Sequence, residues 1–363
     1  MGRPMQITIV GAGAIGGLTG AWLALAGEDV TFVDTNREHV EHLRTKGLFV
    51  DGGRGDHRLP PQRAFTPDEL RDPLECVLLS VKSQHTQDAV AAIKPLLRSD
   101  GFVVSLQNGL VNEDQIASIV GAERTIGALP DYGGAYVEPG HLEFVIEGPV
   151  YVGELDGRLT PRVREVHRLL SEVAECHLLT DIRARIWAKK CFGSQTVASA
   201  LIDLPYHVVL SDVRAQRVTG PLVREALEVA RAHGIDVPSG PFFEPPLYFP
   251  TTHEDTARLF AWIRATVETQ ARFAIEHQRQ GTHTYVKQGS GIHWDIVYRK
   301  RKSEVRWGHG PLEEKAAQIG VPVPLNTKLH RMIYEIEDHE RELGWHNFDE
   351  LYELIRRLGK ALP

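Results

Sequence analysis

Short apolar runs alternate with amphipathic segments over the first 180 residues. The strand-like runs, rich in β-branched residues, occur at 7–10, 30–33, 77–81, 102–106, 125–128 and 150–152. Between them lie segments such as 88–97, in which apolar positions recur every three or four residues, as in an amphipathic helix. This alternation predicts an α/β fold, with a mostly parallel sheet and helices on both of its faces.

From about residue 183 the pattern becomes helical throughout. Amphipathic stretches occupy 183–200, 214–233, 253–278, 304–319 and 327–343, with a Pro/Gly-rich break at 238–250 and a predicted loop at 278–291. A chain of 363 residues has room for two domains. We therefore expect an α/β domain over residues 1–182, followed by an all-helical C-terminal domain over 183–363.

A glycine-rich turn directly follows the first predicted strand. It consists of Gly11, Ala12, Gly13, Ala14, Ile15 and Gly16. The GxGxxG spacing between a strand and a helix is typical of a Rossmann dinucleotide-binding domain, in which the helix N-terminus holds the pyrophosphate. The alternative is a glycine turn of another kind of α/β protein.

Asp34 ends the second predicted strand. A carboxylate at this point accepts hydrogen bonds from the adenosine ribose and repels a 2′-phosphate, which favours NAD(H) over NADP(H). Arg37, three residues later, would weaken that preference, so NADP(H) stays possible. The alternative is that Asp34 caps the helix that starts near Asn36.

Lys82 and Asn108 each follow a predicted strand of the sheet. Ligands of such sheets bind at the carboxyl ends of the strands, so both side chains are candidates for contact with a cofactor or substrate. The alternative is ordinary turn chemistry, because Asn-Gly pairs favour turns and surface lysines are usually solvated.

The sequence Trp187-Ala188-Lys189-Lys190 opens the first helix of the second domain. A lysine there is able to deliver a proton to a carbonyl oxygen, provided that burial lowers its pKa toward neutrality. The alternative is a surface lysine whose stem lies along apolar neighbours.

Composition narrows the class of protein. A net charge of −7 argues against nucleic acid or an anionic membrane as the main partner, and no apolar run is long enough to span a bilayer. No signal peptide is recognisable, and the three cysteines predict free thiols, so we expect a cytoplasmic protein. His283, His293 and His309 lack nearby acids at ligand spacing, so no metal site is expected.

Several motifs together resemble the ketopantoate reductase family over nearly the whole chain. They are the glycine turn, VKSQ at 81–84, QNGLVNED at 107–114, IWAKK at 186–190, SGIHWD at 290–295 with KSEV at 302–305, and GVPVPLN at 320–326. The resemblance implies a Rossmann domain followed by a helical domain. It also implies hydride transfer between a nicotinamide and C2 of a 2-oxo or 2-hydroxy acid.

The resemblance also implies roles for individual residues. Lys189 matches the catalytic lysine of the family, and Glu304 matches a glutamate that helps to fix the cofactor and that lysine. Lys82 and Asn108 match residues that contact the cofactor and, for Asn108, the substrate. The serine that binds the substrate carboxylate in the family falls at Gly291, next to Ser290, and we expect Ser290, Gly291 and His293 to contact the substrate.

The chain departs from the family pattern at the substrate. Gly193 and Val197 stand where asparagines normally follow the lysine, and Gly291 stands at the position of a substrate-binding serine. Other polar residues are candidates for different contacts: Ser194, Gln195, Tyr206, His207 and His293. These departures predict an NAD(H)-dependent oxidoreductase acting on a hydroxy acid or alcohol other than pantoate.

Two alternatives stay open at the level of the sequence. One is a 2-dehydropantoate 2-reductase that uses NADPH in pantothenate synthesis, and the other is a non-catalytic dinucleotide-binding sensor. For the predicted oxidoreductase, the expected partner is a small-molecule oxo acid, hydroxy acid or alcohol, and the expected assembly is a homodimer.

Overall fold

The computed structural model describes residues 5–280 and 289–363, with the side chains of 273–280 excepted. Most of the loop predicted at 278–291 lies outside these residues. The chain divides into two compact units, with the boundary between Arg183 and Ala184. Within the described ranges, no helix has the length and apolar character that crossing a membrane requires.

The first unit contains all of the named strands. They are β1 (Gln6–Val10), β2 (Asp29–Val33), β3 (Leu48–Gly52), β4 (His57–Leu59), β5 (Arg63–Phe65), β6 (Leu74–Leu79), β7 (Leu97–Ser105), β8 (Thr125–Pro130), β9 (Gly133–Glu138), β10 (His141–Ile146), β11 (Val150–Glu154) and β12 (Cys176–Leu178). Its α-helices are α1 (Ala14–Leu25), α2 (Arg37–Thr45), α3 (Thr86–Ile93), α4 (Asn112–Val120) and α5 (Pro161–Ser171).

Eight strands form the main sheet, in the order β12-β11-β8-β7-β6-β1-β2-β5. All neighbours are parallel except β8 and β11, which are antiparallel. Alternate residues of each strand enter different cores: Ile9 packs on the side of α1 and α5, and Val10 on the side of α3 and α4. Helices therefore cover both faces, which confirms the predicted α/β class.

A second sheet, in the order β4-β3-β10-β9, was not predicted. Its strands are short, and β4 and β9 are largely half-exposed, so they lack the continuous apolar runs of the buried strands. Leu142 and Phe144 of β10 share a core with Leu18 and Trp22 of α1. The second sheet thus packs against the helix that follows the glycine turn.

The second unit is helical, as predicted. The helices are α6 (Ile182–Ala198), which crosses the boundary, α7 (Tyr206–Ser211), α8 (Val213–Ala232), α9 (His253–Gln280), α10 (Gly291–Val297), α11 (Val305–Gly308), α12 (Pro311–Gln318), α13 (Pro324–Glu337) and α14 (His346–Arg357). Apolar residues of α6, α8, α13 and α14 form its main core.

Two predicted helices differ from the structure. The single helix expected at 304–319 is two helices, because Pro311 restarts the chain after Gly310. The helix expected at 327–343 begins at Pro324 and ends at Glu337, two residues before His339 takes a left-handed backbone conformation (φ 61°) that ends the helical path. In both cases the apolar periodicity continues past the residue at which the helix ends, so the predicted helix is too long.

Candidate active site

The glycine turn packs against the chain that leaves β6. Gly11 has a φ of 94°, and a Cβ atom on it would lie 2.8 Å from the backbone nitrogen of Val81. The hydroxyl of Ser80 donates a 2.7 Å hydrogen bond to the carbonyl of Gly11, and a Cβ atom on Gly16 would collide with both groups. Glycine is therefore required at 11 and 16 for the backbone to approach this closely.

Open space lies beside Gly13, at the start of α1. A Cβ atom on Gly13 would meet nothing within 4 Å, and no side chain among the described residues caps the helix. The amides from Ala14 and Ile15 onward are thus the uncapped positive end of a helix, which is a site for phosphate. This cradle, formed with Ala12, fits the pyrophosphate of a dinucleotide.

His39 supports the cradle through a hydrogen bond to its backbone. Its ring is 1% exposed; Nε2 lies 3.0 Å from the carbonyl of Ala12, and the amide of Gly140 donates to Nδ1 at 2.9 Å. These partners require a neutral ring with its proton on Nε2. Burial lowers the pKa of His39, which favours that neutral form. The turn is therefore tied to the loop between β9 and β10.

Asp34 lies at the end of β2, as expected. Its Oδ1 atom accepts a 2.9 Å hydrogen bond from the amide of Asn36, and the Asn36 side chain caps α2 and donates to the Tyr136 hydroxyl. Asn36, rather than Asp34, is therefore the cap of this helix. Arg37 forms an exposed ion pair with Asp68.

The loops that carry Lys82 and Asn108 are joined to each other. The Ser83 hydroxyl donates to the carbonyl of Asn108 at 2.8 Å, and the Gln107 amide donates to the carbonyl of Val81 at 2.8 Å. The side chains of Lys82 and Asn108 are both exposed. The structure thus brings the two loops together at the carboxyl ends of β6 and β7, next to the glycine turn.

A buried acid follows the Asn108 loop. Glu113, in the first turn of α4, is 2% exposed, and its Oε1 atom has no hydrogen-bond partner among the described residues. Burial raises the pKa of this carboxyl to about 7. No local pattern indicates this buried carboxyl, because acids in a first helical turn are usually exposed.

In the second unit, α6 presents two adjacent lysines in different surroundings. Lys189 is partly exposed and shares its helix face with Arg185, Phe192 and Thr196, which are also partly exposed. Lys190 is 4% exposed, and burial lowers its pKa from 10.5 to about 8. Lys190, and not the predicted catalytic Lys189, is thus the lysine whose pKa burial brings toward neutrality.

Lys190 belongs to a cluster of titratable groups, of which Lys190 and His330 are buried and His309 and Glu313 are half-buried. Its Nζ atom lies 3.0 Å from Nδ1 of His309, whose ring is 6.4 Å from that of His330. His330 is 1% exposed and places Nδ1 2.7 Å from Oε1 of Glu313. Burial, followed by the charge of Lys190, holds the pKa of His309 well below its usual value. Sequence reasoning missed this cluster because its members come from three segments of the chain.

The residues predicted to meet the substrate near α10 have structural partners. Ser290 caps the helix by accepting from the amide of His293, and His293 is 2% exposed with Nε2 3.0 Å from Oδ1 of Asp203. Gly291 starts α10, and Glu304 directly precedes α11. Their substrate and cofactor roles stay predictions. The described residues contain no group of three or more His, Cys, Asp or Glu arranged for a metal ion.

Family comparisons cover both units. The family described as "Ketopantoate reductase PanE/ApbA" matches residues 7–157, and "Ketopantoate reductase PanE/ApbA C terminal" matches 181–337. The 2-dehydropantoate 2-reductase of Archaeoglobus fulgidus is 34% identical over 337 residues, covering 92% of this chain and 99% of the relative. That of Pyrococcus horikoshii is 25% identical, with 91% and 96% covered.

Solved structures show the same fold. A PanE/ApbA family ketopantoate reductase from Ralstonia eutropha matches with a TM-score of 0.74 and 26% identity, over 93% of this chain and 100% of the other. A D-mandelate dehydrogenase complex with NADH and anilino(oxo)acetate matches with a TM-score of 0.76 and 21% identity, over 93% and 99%. The chain therefore belongs to the ketopantoate reductase family and is an NAD(P)-dependent oxidoreductase that acts on CH–OH groups.

Proposed function

We propose that the protein is an NAD(H)-dependent oxidoreductase that interconverts a 2-hydroxy acid, or a related alcohol, with its oxo form, and that pantoate is not its main substrate. One observation carries this proposal. Helix α6 keeps a partly exposed lysine, Lys189, but one and two turns later it offers the buried Gly193 and Val197, which have no polar side chain. A substrate with pantoate's hydroxyl groups would lose those partners.

The cofactor preference rests on the end of β2. The amide of Asn36 holds Oδ1 of Asp34 at 2.9 Å. We expect this carboxylate to accept hydrogen bonds from the ribose hydroxyls of the cofactor. A 2′-phosphate beside that carboxylate would be repelled, and Arg37, the nearest cation in sequence, is engaged with Asp68. Both features support NAD(H).

The chemistry needs a proton donor for the carbonyl oxygen. The nicotinamide, when bound in the first unit, supplies or accepts the hydride. Lys189 donates the proton during reduction and removes the hydroxyl proton during oxidation. Lys82 and Asn108, on their joined loops, orient the cofactor and substrate, and Glu304 supports Lys189.

A second candidate is 2-dehydropantoate 2-reductase activity with NADPH. Its support is the similarity to the 2-dehydropantoate 2-reductase of Archaeoglobus fulgidus, which is 34% identical over almost its full length. Against it stand Asp34, Gly193 and Val197. Fold likeness does not decide between the two, since a ketopantoate reductase and a D-mandelate dehydrogenase are both structural neighbours.

Steady-state reduction assays test the proposal directly. The purified protein is assayed with NADH and with NADPH against ketopantoate and against 2-oxo acids with aliphatic and aromatic side chains. We expect NADH to be preferred and a 2-oxo acid other than ketopantoate to be reduced with the higher kcat/KM. Efficient reduction of ketopantoate with NADPH would establish the second candidate instead. The predicted homodimer is tested separately by light scattering.

A further inference from the structure

His309 occupies the space that Gly193 leaves beside α6. A Cβ atom on Gly193 would lie 2.5 Å from Cε1 of His309 and 3.5 Å from each ring nitrogen. Any side chain at 193 would therefore displace the imidazole. The absence of a side chain at 193 is what allows a ring from another segment to sit one helical turn after Lys189.

Lys190 sets which nitrogen of His309 carries the proton. A lysine ammonium only donates hydrogen bonds, so Nδ1, at 3.0 Å from Nζ, must accept. The low pKa of His309 keeps the ring neutral, and the single proton is then on Nε2. His309 is thus held as a neutral N–H donor of fixed tautomer.

The geometry of α6 places that donor on the side of Lys189. Successive residues are about 100° apart around a helix, so Gly193 lies between the two lysines, about 60° from Lys190 and about 40° from Lys189. Cε1 rests over Gly193, and the two nitrogens flank Cε1. Because Nδ1 faces Lys190, Nε2 points away from Lys190, and the helical spacing puts Lys189 on the other side of Gly193.

We propose that His309 is a substrate-binding residue: its Nε2–H group and the Lys189 ammonium together hold the oxygens of a 2-oxo or 2-hydroxy acid, and Lys190 is the residue that positions His309. This inference rests on the proposed function and extends it to the substrate contacts. A neutral N–H donor takes the place of a side-chain amide on α6. It binds an oxygen atom without competing with Lys189 for the proton.

Nitrogen NMR of histidine-labelled protein tests the proposal independently of turnover. The chain has seventeen histidines, so the spectrum of His309→Gln identifies the His309 signals. In the wild type with NADH we expect the neutral Nε2–H tautomer at pH 7, and a shift of the Nε2 signal on adding oxamate, a 2-oxo acid analogue that is not reduced. An Nδ1–H tautomer, or a His309 signal indifferent to oxamate, overturns the proposal, even if some 2-oxo acid is reduced.

Kinetic variants then separate binding from chemistry. His309→Phe keeps a ring over Gly193 but removes the donor, and Gly193→Ala displaces the ring. Both should raise KM for the oxo acid about 10- to 100-fold, the range for a hydrogen bond to a charged group, with unchanged NADH affinity. Lys190→Met should raise KM less, because it keeps His309 but removes the group that fixes its tautomer. Both neutral tautomers of His309 should then be populated. Gly308→Ala is the matched control, because a Cβ atom there meets nothing within 4 Å.

Unchanged KM in both His309→Phe and Gly193→Ala contradicts the inference. Failure of the proposed function looks different. In that case the wild type reduces ketopantoate with NADPH better than any other 2-oxo acid with NADH, or reduces none of them. The NMR experiment still shows whether His309 has the fixed tautomer and responds to oxamate.

Discussion

The two units present their functional groups by different means. In the first unit the cradle beside Gly13 is made of backbone, and His39 and Ser80 hold it through carbonyl groups of the turn itself. In the second unit the cluster around Lys190 is made of side chains, brought from α6, from α12 and α13, and from the chain between α11 and α12. The cradle therefore depends on backbone conformation, and the cluster around Lys190 depends on which side chains contact one another.

This difference bears on how specific each site is. A backbone cradle binds the phosphates common to NAD and NADP, and it changes little when side chains change. A site built from side chains can be altered one residue at a time, as Gly193 and His309 illustrate. We therefore expect cofactor binding to withstand most substitutions, and substrate choice to depend on a few residues of the second unit.

The largest expected effect tests the proton donor in the second unit. Lys189→Ala should lower kcat by about 10²- to 10⁴-fold, the usual contribution of a general acid, while NADH affinity changes little. Lys190→Met is the matched control on the same helix and should lower kcat far less, since it acts through His309. The measurement is single-turnover reduction of the best 2-oxo acid. If Lys190→Met is the inactive variant, Lys190 itself carries the proton.

The next effect compares two buried charges with opposite dependence on pH. Glu113 has a raised pKa, so its carboxyl destabilises the fold as pH rises from about 4.5 through 7, and the cost is complete above 7. Lys190 has a lowered pKa, so its cost is complete below pH 8 and disappears as pH rises toward 10.5. The contributions of Glu113 and Lys190 to stability thus depend on pH in opposite senses.

Glu113→Gln should therefore raise the free energy of unfolding at pH 8.5, by up to roughly 3 kcal/mol, and change it little at pH 4.5. Urea titrations at the two pH values measure this difference. The exposed Glu123→Gln should show no such pH dependence. A Glu113→Gln variant that is destabilised at pH 8.5 would mean that the carboxylate has a stabilising partner when ionised.

Sequence reasoning succeeded where one segment carries the whole signal. The turn from Gly11 to Gly16 is continuous, and its spacing predicts both the strand–helix pair and the cradle. The second sheet was missed because β3, β4, β9 and β10 are short and partly polar. The Lys190–His309 contact joins residues 119 positions apart, and no local pattern indicates such a pair.

Cofactor choice is the next test, in the first unit. Asp34→Ala should reduce the preference for NADH over NADPH in kcat/KM by tenfold or more, about 1.4 kcal/mol, because it removes both a ribose acceptor and the repulsion of a 2′-phosphate. The experiment compares the two cofactors with one substrate. A wild type that prefers NADPH shows that Asp34 does not contact the ribose.

The smallest effect separates the two roles available at the end of β2. The Asn36 side chain accepts hydrogen bonds from the amides of Glu38 and His39, so Asn36→Ala should cost about 1 kcal/mol of stability, as the loss of a helix cap usually does. Asn36→Ser keeps a capping oxygen and should cost less. Thermal unfolding gives both values.

The same two variants should leave the preference between NADH and NADPH within about twofold of the wild type, because both keep the Asp34 carboxylate. A tenfold change in this preference would correspond to about 1.4 kcal/mol. If the Asp34 carboxylate contacts the ribose directly, it still accepts the ribose hydrogen bonds when α2 has lost its cap. If Asn36→Ala changes the cofactor preference as much as Asp34→Ala does, Asp34 acts only through the Asn36 amide that it binds. The specificity of the first unit would then also reside in backbone conformation, as its phosphate cradle does.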